Sequence, residues 1–507
     1  MVTYIDSFLN KFTTYRFTLY YLIALFLFSL LFSAFGILPY TLEDLLINLF
    51  IAIIVAYTAN YVFAFIFRAK RNVESVFITA LILVLIIPAF PTDFTYIFLA
   101  AGVAMASKYL ITIEKRHIFN PAAVSIASIA LLSPSHVATW WIGSVYMLPL
   151  VVIGGVLLTR KIGRGKMVYT FIGVYFILTI LASFIHASSI QSTINLSLLS
   201  SPILFFAFVM ITEPITSPSR EKLQLIYATF AAFVFSTPEL RIFNLGFTPE
   251  LSLCGANLLS YIMSPNYRLE LVLYKKEKLS QNTAYFMFKA NKRIKYISGQ
   301  YMEWMLPHKH TDDRGNRRFF SIASSPTENN VALLARFYEE SSSYKKSLYN
   351  LEPGEKIIVS ELSGDFILSL KDKNPIVFIA GGVGIAPFRS MIRYIIDKRL
   401  NVDITILYSN KRYDDILFKD LFKEAKNYGV KTIYIITDDI PSNWNGETGY
   451  ITNNMIKSEV PNYLISNFYI SGPQLMVDNM NHLLLDMGVK RKNIKEDFFP
   501  GYNETQI

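Results

Sequence analysis

The run Arg317-Arg318-Phe319-Phe320-Ser321-Ile322-Ala323-Ser324-Ser325-Pro326 gathers guanidinium, aromatic and hydroxyl groups in one short stretch. Its apolar and aromatic residues suit a strand edge. From that edge Arg318 can give two parallel hydrogen bonds to a phosphate, and Ser321, three residues on, can donate toward a flavin ring. Taken alone, the same stretch also reads as a basic edge strand. A second cluster lies at Gly381-Gly382-Val383-Gly384-Ile385-Ala386-Pro387. Glycines at 381, 382 and 384 let backbone approach a dinucleotide without side chains in the way. A helix opening at Pro387 offers free amides and a positive dipole end to a pyrophosphate. The spacing departs from the G-x-G-x-x-G form, so that fingerprint is not invoked. A plain strand–turn–helix would look much the same.

These residues need a frame, and the second half of the chain supplies one. "LELVLYKKEKLSQNTAYFMFKAN" alternates apolar and polar residues, as do "YISGQYMEWML", "ALLARFYEE" and "PGEKIIVSELSGDFIL". Period-two patterning with turn residues between the runs predicts strands and hairpins. Residues 267–371 are therefore expected to form a small antiparallel barrel. Residues 372–507 alternate apolar strands ("PIVFIA", "DITILYS", "KTIYIITDD", "NFYIS") with helical stretches. That alternation predicts a parallel sheet with helices on both faces, which binds ligands at the carboxyl ends of its strands.

The first half is of another kind. The 507 residues are 52% apolar and only 17% charged, and residues 1–264 hold just 15 of the 48 Lys and Arg. A span needs about 20 apolar residues to cross ~30 Å of hydrocarbon. Ten stretches qualify as candidates, several of them short: 17–38, 45–67, 76–90, 94–110, 120–133, 139–158, 167–186, 198–216, 223–236 and 247–264. With the N-terminus inside, fourteen Lys and Arg fall in inner segments and only Arg241 falls in an outer loop. That asymmetry obeys the positive-inside rule and returns the C-terminal half to the cytoplasm. The first apolar run is of full membrane length and lacks a small-residue cleavage site, so no signal peptide is expected. Residues 1–266 are thus expected to form a multi-pass membrane domain of the cell membrane.

Of the net charge of +10, the excess in the first half sits in short inner loops, where membrane orientation explains it, and nucleic acid is not an expected partner. The lone Cys254 excludes an intrachain disulfide and a cysteine-ligated iron–sulfur cluster. Haem would need facing histidines within the bundle. The three available, His117, His136 and His186, fall at span ends on differing sides, and no metal site is expected.

Two polar positions at span ends can meet a ligand. Asn120-Pro121 opens a span where proline breaks the backbone ladder; the plainer reading is a helix start. Glu213 comes after the apolar run of "FFAFVMITEPITSP", where a carboxylate is costly unless paired or wet; the plainer reading is a side chain reaching the inner surface. "IIPAFP" with "FNPAAVS" after it, and "TEPITSP" with "GANLLS" after it, suggest two five-span halves.

With "HIFNPAAVSIA", "WWIGS", "GGVLLTRK" and "FVMITEPITSP" in order, residues 40–265 resemble the membrane subunits of the Rnf and sodium-pumping NADH:quinone oxidoreductase complexes. Those subunits are flavoproteins that carry electrons within the membrane. The Ser-Gly-Ala-Thr motif that holds their covalent FMN is missing, so the resemblance implies FMN or riboflavin held without a covalent bond. "SGQY", "RRFFSIAS", "SSSYKKSL", "GDF", "GGVGIAP", "YSN", "SGP" and "EDFFPGY" in series make residues 267–507 resemble the ferredoxin–NADP reductase family. That resemblance implies FAD lined by Arg318, Phe320, Ser321 and Ser324, with Ser342 or Ser343 on its phosphate. It places the nicotinamide nucleotide at Gly381, Gly382, Gly384 and Pro387, closed over by Gly472 and Pro473. Phe498 or Tyr502 would cover the flavin ring.

In that family's terms Ser321 and Ser471 are the candidate catalytic residues, Ser471 standing where the family has cysteine. Phe320 stands where it often has tyrosine. "SNKRYDD" offers Lys411 and Arg412 to a 2′-phosphate and Asp414 and Asp415 against one, so NADH is favoured over NADPH. The expected activity is transfer of electrons from cytosolic NAD(P)H through FAD to a membrane flavin or quinone, and onward to an acceptor outside. Two alternatives stay open: an NAD(P)H:quinone reductase without transmembrane transfer, and an ion transporter with a regulatory flavin domain.

Overall fold

The computed structural model describes residues 5, 8–9, 12–67, 73–89, 93–113, 116–133, 137–185, 189–199, 202–237, 241–242, 245–246, 248–263, 269–292, 294–309, 311–312, 315–370 and 374–497. The chain divides into two compact units, Met1–Asn266 and Tyr267–Ile507.

The first unit is helical: α1 Thr14–Ala34, α2 Leu42–Ile66, α3 Val73–Ile86, α4 Thr95–Leu110, α5 Pro121–Leu132, α6 Leu148–Ile162, α7 Gly165–Ile185, α8 Ile190–Leu199, α9 Ile203–Phe205, α10 Glu221–Phe235 and α11 Pro249–Met263. A two-residue hairpin, β1 Thr112–Ile113 and β2 Arg116–His117, links α4 to α5. A second such pair, β3 Arg241–Ile242 and β4 Leu245–Gly246, precedes α11. Among the described residues three helices, α1, α2 and α7, are long and apolar enough to cross a membrane, and the apolar α3, α4 and α5 are shorter.

Two of the expected spans are interrupted. Where 139–158 was expected, Trp140 takes a left-handed backbone (φ 49°), a short 3₁₀ turn comes next at Trp141–Gly143, and α6 starts only at Leu148. Backbone amides of Thr139 and Trp140 donate to Ile86 O, and the Trp141 indole donates to Val84 O and Ile87 O. The loop thereby satisfies carbonyls left open where Pro88 ends α3. Where 198–216 was expected, α9 passes into a π turn over Phe206–Met210, with Ile211 N–H donating to Phe206 O. Such a widened turn shifts the register of the residues downstream; here these are Thr212-Glu213-Pro214.

The second unit holds two sheets. The first is antiparallel, in the order β8-β7-β10-β5-β6-β9 (β5 Leu269–Ser280, β6 Thr283–Ala290, β7 Tyr301–Met305, β8 Arg317–Ser321, β9 Val331–Arg336, β10 Lys356–Ser363). Just past β8, Ala323 N–H donates to Ala332 O of β9, joining the two outer strands. Leu271, Phe286, Phe288, Trp304, Leu333 and Ile357 fill the inner face. The second sheet runs β14-β13-β12-β11-β15-β16, every neighbouring pair parallel (β11 Ile376–Gly381, β12 Ile404–Asn410, β13 Val430–Ile436, β14 Glu447–Thr448, β15 Asn467–Ser471, β16 Ile494–Asp497). β11 is buried at all six positions, as a central strand covered on both faces must be. The helices of this unit are α12 Ser343–Tyr349, α13 Ala386–Asp397, α14 Lys419–Ala425, α15 Asn453–Glu459 and α16 Gln474–Asp486. Of these, α12, α13 and α16 start at the site.

Candidate functional site

Strand β8 aims its alternate side chains to opposite faces. Arg318 and Phe320 share one face. The Arg318 guanidinium lies 5.1 Å over the Tyr344 ring, and the Phe320 and Tyr344 rings are 6.1 Å apart. Tyr344 belongs to α12, so this face brings a cation and two rings to the start of that helix. Ser342 caps it, its hydroxyl accepting Lys345 N–H at 3.3 Å. The Ser343 hydroxyl is held otherwise: it meets His308 Nε2 at 2.9 Å and accepts Asp312 N–H at 2.9 Å. A guanidinium and a helix start offer donors to a phosphate, and two tilted aromatic rings offer an apolar wall to a flat ring, so the residues fit FAD.

Ser321 turns to the other face. Its hydroxyl donates to Asp497 Oδ2 at 3.1 Å. Asp497 ends β16 and lies opposite Ser471 at the end of β15. Ser321 therefore bonds the carboxyl of a residue whose backbone pairs in register with that of Ser471. Burial pushes that carboxyl up to about 7, with the Ser321 hydrogen bond pulling the other way. A group that is half neutral near pH 7 can both give and take a proton. Sequence reasoning missed Asp497, although it sits inside "EDFFPGY". The signal was an acidic residue ending a strand that lies beside the strand of Ser471.

The glycine turn closes against this point. Gly381 ends β11 and Gly382 takes φ +53°, a conformation that glycine alone adopts freely. A Cβ on Gly384 would overlap Ser471 O and stand 2.7 Å from Gly472 Cα. One on Gly472 would come within 3.3 Å of Gly381 backbone. Two turns, Gly381–Gly384 and Ser471–Pro473, thus touch backbone to backbone at the carboxyl ends of β11 and β15. Pro387 stands in the first turn of α13, and Pro473 precedes α16. The cradle fits a dinucleotide: both helix starts adjoin the turns, and the missing Cβ of Gly381 leaves room for the Met476 side chain, which packs against the turn.

Ser324 is placed differently. It is wholly buried, and its hydroxyl accepts Ala332 N–H at 2.9 Å and lies 2.9 Å from the Tyr296 hydroxyl. It ties strands together. Asp415 accepts from Arg336 Nη2 at 3.3 Å, and Arg412 pairs with Asp439 at 2.9 Å. Phe498 and Tyr502 lie outside the described residues.

In the first unit the two singled-out residues meet. Asn120 caps α5, accepting Ala123 N–H at 3.1 Å, and its Nδ2 donates to Glu213 Oε2 at 3.0 Å. The Thr216 hydroxyl donates to the same oxygen at 2.9 Å. The Asn120 amide donates to Asn257 Oδ1 at 2.9 Å, and Asn257 Nδ2 donates to the Tyr227 hydroxyl at 3.0 Å. The asparagines of "FNPAAVS" and "GANLLS" are therefore in direct contact. Among the described residues no group of His, Cys, Asp and Glu could hold a metal ion.

Known proteins match both halves. Residues 378–482 match the oxidoreductase NAD-binding domain, and residues 141–248 match the NQR2, RnfD, RnfE family. Among curated relatives, the F subunit of the Na(+)-translocating NADH-quinone reductase of Methylococcus capsulatus is 33% identical over 30% of this chain and 39% of its own length. NADH-cytochrome b5 reductase 1 of Coccidioides immitis is 25% identical over 54% of this chain and 95% of its own. The crystal structure of flavohemoglobin from Malassezia yamatoensis with bound FAD and heme is 17% identical, covering 69% of this chain and 98% of that one, at a TM-score of 0.43. The chain spans well under half of that first relative and about half of several others of the same name. The chain thus joins a helical unit that matches the NQR2, RnfD, RnfE family over residues 141–248 to a unit that matches the oxidoreductase NAD-binding domain over residues 378–482.

Proposed function

We propose that this chain is a membrane-bound flavoprotein oxidoreductase. It takes electrons from cytosolic NAD(P)H, NADH preferred, through FAD to a flavin or quinone at the Asn120–Glu213 cluster, and onward to an acceptor outside. The observation that carries the reading is the junction of Ser321, Asp497 and Ser471 at the ends of β15 and β16. A two-electron hydride carrier and a flavin ring have to meet at a site that can also move a proton, and this one can.

FAD, when bound, supplies the step from two-electron to one-electron chemistry. The chain's residues do the rest. Arg318 and the start of α12 hold phosphate; Phe320 and Tyr344 give the ring an apolar wall. Gly382, Gly384 and Gly472 admit the nucleotide backbone, and Pro387 and Pro473 set the two helix starts. Ser321 and Asp497 hold a proton at the junction. In the first unit, about ten spans with both termini inside account for the side bias of Lys and Arg, and the short α3–α5 are tolerable where longer helices shield them. Relatives named as quinone reductases favour quinone among acceptors. Purified full-length protein tests the reading by its absorption spectrum, by cofactor extraction and by anaerobic addition of NADH. The expected result is a flavin spectrum that bleaches. A colourless protein that stays so with added FAD ends the proposal.

A further inference from the structure

Glu213 is satisfied on one side only. Its Oε2 accepts from Asn120 and Thr216, whereas Oε1 faces His117 Nε2 at 3.7 Å, within range of an ion pair and beyond that of a hydrogen bond. His117 Nε2 is buried and has no hydrogen-bond partner among the described residues. Buried polar atoms are nearly always paired, so an imidazole nitrogen left open beside a carboxylate is unusual. His117 sits on β2, three residues before Asn120 caps α5, so hairpin and helix start bring imidazole, amide and carboxylate to one place.

Three groups that titrate or carry charge face the pair from other elements. Lys108 on α4 is within electrostatic reach of Glu213 while its ammonium donates to Ser75 and Thr79 of α3. Tyr227 on α10 is reached through Asn257. Arg164, ahead of α7, donates to Ser217 and acts on Tyr227. None of them takes the place of the bond missing at Nε2.

We infer that His117, held by Glu213, is the proton donor to a ring acceptor that is reduced in the first unit. The inference rests on the electron path proposed above. The acceptor's shared chemistry is a ring carbonyl or ring nitrogen that gains a proton on two-electron reduction, which describes a quinone and an isoalloxazine alike. The balance is NAD(P)H plus acceptor plus one proton giving NAD(P)⁺ and the doubly protonated acceptor. The electrons come from NAD(P)H. The Nε2–H bond of the His117 imidazolium breaks and its proton bonds to the acceptor; solvent supplies the acceptor's second proton and reprotonates the imidazole, and it regains the one proton that the hydride brought in when FAD is reoxidised. Glu213 sets its negative charge beside the imidazolium that gives the proton.

The test is rapid mixing of NADH with full-length protein, following flavin absorbance and a short-chain quinone added as probe. A second flavin recovered per chain identifies an isoalloxazine acceptor; its absence with probe reduction identifies a quinone. Onward transfer in the parent is expected to slow severalfold in deuterium oxide and to fall as pH rises through one proton transition. His117→Gln is expected to slow that step by at least about tenfold, within the range of general acid catalysis. It should also lose the isotope effect and recover in part with added imidazole. An onward step without an isotope effect in the parent overturns the inference, with no dependence on how the variant folds. So does a His117→Gln protein with the parent's rate and pH profile. If the parent bleaches its FAD and nothing in the first unit or the probe is reduced, the electron path itself falls and takes the inference with it.

Discussion

The two units bring distant residues together around a single carboxyl group, and they do it by opposite means. In the second unit, Asp497 is reached by a strand of one sheet and the end of another, and glycines remove side chains so that backbones can touch. In the first unit, Glu213 is reached through interruptions: a π turn before it, a proline after it, and a hairpin that delivers His117 and Asn120. A β-sheet places residues by register, so its site needs only strand ends and small residues. A helix hides its backbone groups, so a polar site among apolar helices needs places where the helix stops. On that contrast, backbone space should matter most in the second unit and side-chain pairing in the first.

The largest expected effect comes from backbone contact. Gly384→Val would drive a branched side chain into Ser471 O and Gly472 Cα, which cannot yield without moving β15. Overpacking of this kind costs about 1–3 kcal/mol, and here it also blocks the nucleotide turn. The expected outcome is loss of measurable NADH-driven bleaching with FAD still bound. Normal bleaching by Gly384→Val would show that the two turns do not need to touch.

Next comes the carboxyl at the junction. Burial raises the Asp497 carboxyl from its ordinary value of 3.8 to about 7. A raised acid binds its proton more tightly folded than unfolded, so its stabilising effect is complete below about pH 4 and is lost as pH rises to about 7. The slope is about 1.4 kcal/mol per pH unit at most. Asp497→Asn should flatten thermal unfolding between about pH 5 and 7, where the parent's melting temperature falls. An equal fall in both proteins would place the titrating group elsewhere.

Residues differ in how far the sequence discloses them, and the difference is between local and distant causes. The alternation of apolar residues forecast both sheets and the glycine turn, because period and turn residues are local properties. Ser321 stood out by its place three residues past Arg318, whereas Ser471 was singled out only through the family resemblance. Asp497 was not, since its importance comes from strand order: β16 lies beside β15 only in the folded sheet. Asn120 and Glu213 could each be picked out as costly polar residues in an apolar setting. That they bond each other, 93 residues apart, depends on packing that no window of sequence contains. Trp140 was expected inside a span, and the need to satisfy the open end of α3 holds it in a loop instead. Ser324 was expected to line a ligand, and its hydroxyl instead serves Ala332 and Tyr296, a demand set by a neighbouring strand.

The Arg318 contribution is smaller than that of the glycine turn, because a phosphate keeps other donors when one is lost. Hydrogen bonds to charged groups are worth about 1.5–3 kcal/mol. Arg318→Ala should therefore weaken FAD by roughly 10- to 100-fold, read as flavin lost on dilution or gel filtration. Arg318→Lys should restore part of it, since a lysine keeps the charge and loses the fork. Retention of FAD by Arg318→Ala equal to that of the parent would mean the phosphate lies elsewhere than at the start of α12.

The smallest effect tests the first unit. Asn120 does two jobs with its side chain, capping α5 and donating to Glu213. Loss of a cap costs about 0.5–2 kcal/mol. Asn120→Asp keeps the capping oxygen and removes the amide donor, and it sets a second carboxylate against Glu213. Asn120→Ser keeps the cap without adding charge. If the pairing with Glu213 matters and not only the cap, Asn120→Asp should melt lower than Asn120→Ser, and the gap should widen as pH rises and both carboxyls ionise. A pure capping role predicts the reverse ranking or none, since aspartate caps at least as well as serine. Melting curves of the two variants across pH therefore separate a helix start that happens to lie beside Glu213 from a polar site built around it.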